Sequence, residues 1–140
     1  MNKVIVKFNS KQIGTDSSTI KTKSIANHHV RKGISYYIYK ERILDDGKET
    51  STMLKLTKDS LTLTRSGNIQ QQQIFALGKT STSDYVTPYG NLKMTVKTDR
   101  FELVDDIDNN RCVIKIDYEL YLNNNWQSNN KLIIDICPTN

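Results

Sequence analysis

Between Cys112 and Leu122 the chain reads CVIKIDYELYL, and this stretch decides the fold. Cys112, Ile114, Ile116, Tyr118, Leu120 and Leu122 share one parity, while Lys115, Asp117 and Glu119 take the other. Successive side chains of a strand point to opposite faces, so this alternation specifies an extended segment with one face buried. Beyond it lies an Asn123–Asn125 turn and then a last strand, Leu132 to Ile136. Centring the turn on Asn124 predicts antiparallel pairs Ile114 with Ile134, Ile116 with Leu132 and Cys112 with Ile136. Cys137 then faces the other way from Cys112. A disulfide would need a one-residue slip that sets Ile114 against Asp135, so we expect two free thiols in a reducing compartment.

Working toward the N-terminus, the same period recurs in short pieces. Leu92, Met94 and Val96 alternate, then Phe101 and Leu103 continue on changed parity, which predicts a bulge near Thr98 to Arg100. Ile69 to Phe75 reads as a strand, against a short helix that Gln70 to Gln73 would favour. Leu61 and Leu63 follow Leu54 and Leu56 across a Lys58, Asp59, Ser60 turn, and Asp45, Asp46 and Gly47 mark another hairpin. Val4, Val6 and Phe8 open the chain, with a turn near Gly14 to Ser18. Eight to ten short strands joined by tight polar turns predict an all-β fold, a single antiparallel up-and-down barrel, since closure removes the open edges of a flat sheet.

At 140 residues and 16.1 kDa the chain fits a single domain, residues 1–140. It has no run near the ~18 apolar residues of a spanning helix, and MNKVIVKFNS lacks the features of a signal peptide, so the cytoplasm and no membrane are the expectation. The net charge of +5 is uneven: Met1 to Lys58 hold 12 basic against 5 acidic residues, Asp59 to Asn140 8 against 10. A basic half suits an anionic partner, RNA or an acidic protein, but lysines on the wet faces of strands give the same count. Without an Arg-rich run or glycine-flanked aromatic pair, nucleic acid is not favoured.

Chemistry is sparse. No hydrolase, phosphate-loop or zinc motif occurs, and two separated cysteines and the adjacent His28 and His29 share no ligand spacing, so we expect no metal, no cofactor and no catalytic residue. The two histidines sit in a Lys-rich segment and are expected in solvent. Arg65 continues the parity of Leu61 and Leu63 and so points inward, where a charge must be paired. It is either an anchor for an acidic ligand or half of a structural pair closing one end of the barrel. Tyr85 and Tyr89 flank Thr87, Pro88 and Gly90, a corner they can clamp through backbone hydrogen bonds or open as a pocket mouth. Tyr37, Tyr39 and Glu41 share one parity and Ile34, Tyr36 and Ile38 the other; either set can face the interior. Glu41 or Glu119 would be the base of a less favoured enzymatic reading, and Glu119 is bracketed by the apolar parity.

Taken together, LTLTRSG at Leu61 to Gly67, Phe75, YVTPYG at Tyr85 to Gly90, Tyr39 with Glu41, and Tyr118, Glu119 and Leu120 resemble the signatures of the YwiB-like family of small bacterial proteins. The resemblance runs from about Val4 to Ile136. It departs at Asn123 to Asn130, where that family more often has an asparagine-glycine turn, and in the basic first half. It implies a calycin-like barrel, similar in architecture to lipocalins, in a cytoplasmic protein without an assigned reaction. The resulting expectation is a non-enzymatic binding module for a small, acidic molecule, monomeric or homodimeric, with Arg65, Tyr39, Glu41, Tyr85 and Tyr89 as candidate ligand contacts. The alternative is a packed, ligandless barrel that meets an anionic partner through its basic half.

Overall fold

The computed structural model describes residues 2–14, 17–42 and 47–139. Ten strands follow in order: β1 (Asn2–Gly14), β2 (Ser18–Arg31), β3 (Ile34–Glu41), β4 (Thr50–Leu56), β5 (Ser60–Ser66), β6 (Gln71–Ala76), β7 (Thr80–Thr87), β8 (Gly90–Asp106), β9 (Arg111–Leu122) and β10 (Asn125–Pro138). All pair antiparallel in one sheet, in the order β6-β5-β4-β3-β2-β1-β10-β9-β8-β7. Each hairpin lies beside its chain neighbour, and only β1 with β10 joins distant segments. The sheet curls until its two ends meet. Gln70 and Val86 exchange backbone hydrogen bonds of 2.9 Å, and Thr98 accepts from Gly78 N and donates to Lys79 O at 3.0 Å. The result is a nearly closed up-and-down barrel, as the alternation predicts. Among the described residues there is no helix, and so none long and apolar enough to cross a membrane.

The inner faces supply the core. Val6, Leu54, Leu61, Phe75, Val96, Ile114, Ile116 and Ile134 are buried essentially completely, and they fill the middle of the barrel with aliphatic bulk. Burial of such side chains contributes ~1.5–3 kcal/mol each. The register on either side of Asn124 is the one expected, Ile114 opposite Ile134 and Ile116 opposite Leu132, but it is reached differently. The turn is two residues long, Asn123 and Asn124 at φ 49° and 69°, and pairs Leu122 with Asn125. Two consecutive positive φ values match the twist of a tight hairpin, and asparagine tolerates them. Left alone, that turn would set every later pair one residue off. A bulge between Trp126 and Ser128 restores the pairing. The one bulge expected from the sequence, between Thr98 and Arg100, is also present.

Other expectations resolve here. Residues 71–76 form strand β6, not helix. Tyr37 and Tyr39 are both 4% exposed whereas Ile38 is 36% exposed, so the Tyr37, Tyr39, Glu41 set faces inward. The cause is pairing: Tyr37 lies opposite Leu54 and Tyr39 opposite Thr52 on the buried parity of β4. Cys112 and Cys137 are free thiols. Thr15 and Asp16 of the first turn, and Asp45 and Asp46 of the 45–47 hairpin, lie outside the described residues.

Candidate functional site

The barrel has two unlike ends, separated by the aliphatic layer. One end is formed where β3 and β5 finish and β4 and β6 begin. Arg65 enters there on the inner face, as its parity predicts, and lies 3.3 Å from Glu41 Oε2 through Nε. Its Nη1 donates to Gln71 Oε1 at 2.9 Å, and Thr52 Oγ1 donates to the same Glu41 oxygen at 2.6 Å. The Arg65 and Glu41 side chains retain 22% and 13% exposure. Around this pair, Gln73 Nε2 donates to Met94 Sδ at 2.8 Å and Thr50 bonds the Asn68 side chain. The Tyr39 hydroxyl is buried without a partner. Burial, reinforced by the Glu41 charge and opposed by Arg65, pushes its pKa up. Burial likewise pushes Tyr118 up to about 12, with Arg65 pulling the other way. Tyr118 meets Phe75 edge to face at 5.0 Å. This end is knitted shut by paired polar side chains.

The opposite end holds a cavity of about 820 Å³, formed by the starts of β1, β3 and β9 and the ends of β2, β4, β8 and β10. Four polar side chains converge in it: His28, Ser35, Tyr37 and Cys112. His28 stacks on the Tyr37 ring, with centroids 4.4 Å apart and planes 10° from parallel, and its Nε2 lies 3.1 Å from Ser35 Oγ. Ser35 and Cys112 are the polar neighbours of the Tyr37 hydroxyl. Burial pushes both the phenol and the thiol up in pKa. Burial, then the charge of His29, pulls His28 down from 6.5. At neutral pH these groups are therefore an imidazole, a phenol, a hydroxyl and a thiol, all uncharged. Lys3, Lys58, Arg111 and Asp105 are the charged residues along it, with Leu56, Leu103, Ile107 and Ile136 among the apolar walls. Arg111 is already held by Asp135, through Nε–Oδ1 at 3.0 Å and Nη2–Oδ2 at 2.6 Å.

Chemically this arrangement is a set of neutral hydrogen-bonding groups. Nucleophilic cysteines have lowered pKa values, the reverse of Cys112. A serine nucleophile needs a histidine base that is itself oriented by a third group, and no described carboxylate bonds His28. The set can instead donate and accept hydrogen bonds, stack, and offer the cationic head of Lys58 at its rim. Among the described residues no group of three His, Cys, Asp or Glu could hold a metal ion.

Of the five residues singled out from the sequence, Arg65, Glu41 and Tyr39 come together at the shut end. Tyr85 faces inward on β7 opposite Leu92, and Tyr89, 79% exposed, stands at the tip of the β7–β8 hairpin. The backbone bonds of that corner come from Thr87, whose Oγ1 donates to Gly90 O at 2.8 Å and accepts from Tyr89 N at 3.1 Å, so threonine rather than tyrosine fastens it. Glu119 points outward, 3.8 Å from Lys97. His28 is half-buried rather than in solvent, because β2 sets it on the inner face opposite Asn2, beside Tyr37 of β3. That parity was available from Ala26, two residues earlier. The cavity itself was not, since its walls come from residues scattered from Asn2 to Thr139.

The sequence pattern of the family described as "Domain of unknown function (DUF1934)" matches residues 5–134. No curated protein matches the chain in sequence. Among solved structures, the ywiB protein from Bacillus subtilis superposes with a TM-score of 0.85 at 18% identity, over 99% of this chain and 93% of that one. A structural-genomics protein of unknown function from Bacteroides ovatus gives a TM-score of 0.36 at 13% identity, over 96% of this chain and 40% of that one. The first likeness concerns the barrel alone.

Proposed function

This chain belongs to the DUF1934 family, and we propose that it is a non-enzymatic binding barrel for a small acidic molecule seated in the end cavity. One observation carries the reading: four polar side chains from three strands converge in an ~820 Å³ concavity bordered by Lys58. Ligand sites typically have volumes of ~300–1,000 Å³, mostly apolar walls and a few convergent polar groups. Lys58, in no ion pair with a described carboxylate, supplies the preference for an acid. His28, Ser35 and Tyr37 supply orientation. Arg65, Glu41 and Tyr39 take the structural role weighed for Arg65 from the sequence, shutting the far end, while Tyr85 and Tyr89 stay outside the ligand's reach. Two free thiols fit the reducing cytoplasm of a bacterium.

Native mass spectrometry on protein purified gently from cells, followed by denaturation and identification of released molecules, tests this directly. A stoichiometric acidic adduct that is lost in Lys58→Glu and retained in the Arg65→Met, Glu41→Leu double variant is expected. An adduct lost in the double variant while the barrel stays folded returns the anchor to Arg65. A clean apo mass from fresh lysate removes the proposal.

A further inference from the structure

On the outer face of the barrel, opposite the seam between β6 and β7, strands β2, β1 and β10 bring lysines together. Lys3, Lys7 and Lys11 of β1, Lys21 and Lys23 of β2 and Lys131 of β10 all lie exposed on this face. Lys7 sits directly opposite Lys23, and Lys11 directly opposite Lys131. Like charges facing each other across a strand pair are destabilising. Lysine is common on exposed strand edges, where it discourages aggregation. That explains Lys21 and Lys23 but not Lys7 and Lys11, which lie on a strand paired along both sides.

Two carboxylates share the face. Asp135, opposite Lys7, is held by both ends of the Arg111 fork, and Asp117 lies opposite Lys131. None of the six lysines has a described carboxylate within ion-pair distance. Between Lys7, Lys21 and Lys23 runs a shallow depression of about 410 Å³, with Asn9, Ile133 and Asp135 along it. From Lys3 to Lys11 the patch extends ~27 Å, at ~3.4 Å per residue.

We propose that this face binds a nucleic-acid duplex through its phosphates, without reading the bases. Lysine binds phosphate as a point charge, whereas protein interfaces are depleted in lysine and enriched in aromatics and arginine. Trp126, opposite Tyr121, stands on the outer face at the start of β10, beyond Lys131, but no aromatic side chain of the outward parity lies among the six lysines, so the patch itself lacks the stacking platform that single strands use. Contacts confined to phosphates position a protein without carrying sequence information.

Fluorescence anisotropy with a labelled duplex of about 20 base pairs tests the proposal. With five phosphate contacts the affinity falls ~500-fold between about 50 and 200 mM salt, the slope being ~0.9 per contact. The Lys21→Glu, Lys23→Glu double variant is expected to lose binding more than 10-fold and to stay folded, since glutamate at 23 faces Lys7 as an opposite charge. Lys79→Glu, exposed at the seam on the far side, changes binding by less than 3-fold. Equal losses from the double variant and from two charge reversals at Lys79 and Lys55 would make the effect one of net charge and overturn the site. So would a salt-insensitive complex, or no binding at the lower salt. Tighter binding of a single strand overturns the duplex assignment, and tighter binding of polyglutamate with equal charge assigns the face to an acidic polypeptide instead.

Discussion

The two ends of the barrel use polar side chains in opposite ways. At the shut end Arg65 takes up Glu41 and Gln71, Glu41 takes up Thr52, and little hydrogen-bonding capacity faces solvent. At the open end His28 bonds Ser35 and stacks on Tyr37, with Cys112 alongside, and these groups stand above apolar walls beside a cavity. Apart from the buried Tyr39 hydroxyl, the inward polar groups described at the shut end are paired with one another, and a layer of aliphatic residues separates them from the open end. The difference teaches that an inward-pointing charge can be satisfied wholly within the fold, while neutral donors can stand with space in front of them.

The comparison breaks most easily at Arg65. Arg65→Ala leaves Glu41 without its cation and is expected to cost about 3 kcal/mol in urea unfolding, because removing one partner of a buried pair strands the other. The Arg65→Met, Glu41→Leu double variant should recover most of that loss. A single variant as stable as wild type would mean the shut end is not held by the pair. At the open end the stability effects shrink. Tyr37→Phe removes a buried hydroxyl and should cost ~1 kcal/mol, while lowering about tenfold the retention of the acidic adduct that the proposed function expects.

Asn124→Gly, which puts glycine at the second left-handed position of the β9–β10 turn, should stabilise by ~0.5 kcal/mol in the same assay. The smallest effect is in pH. His28 is pulled below 6.5 on folding, so the unfolded chain binds its proton first. Stability is complete above pH 6.5 and declines as pH falls through that value toward the lowered folded pKa. His28→Asn should flatten the slope of the unfolding midpoint across this window; an unchanged slope would assign it to another group.

Much of this architecture was legible because period two is a local signal. The inward turn of Arg65 followed from Leu61 and Leu63, and the pairing of Ile114 with Ile134 from a hydrophobic match that the turn length alone would have missed. The face of β3 was not legible: both of its parities carry apolar or aromatic residues, and only the lateral pairing with Leu54 and Thr52 decides between them. The open end was hidden for a related reason. Its four converging polar residues lie on three strands, and barrel closure, a long-range event, is what makes them neighbours. Tyr89 misled because a tyrosine at a corner looks purposeful, while the fastening bonds belong to the shorter side chain of Thr87.

The bulge near Trp126 has an evolutionary corollary. Because the two-residue turn and the extra residue cancel, deleting Gln127 alone would let β9 and β10 zip without interruption and still bring Ile116 to Leu132. The same bulge sets Gln127 O only 2.3 Å from where a Cβ on Gly14 would stand, so residue 14 is confined to glycine while the bulge persists. Loss of Gln127 would lift that restriction. Length variation in this hairpin and side-chain freedom at position 14 are thus expected to be inherited together.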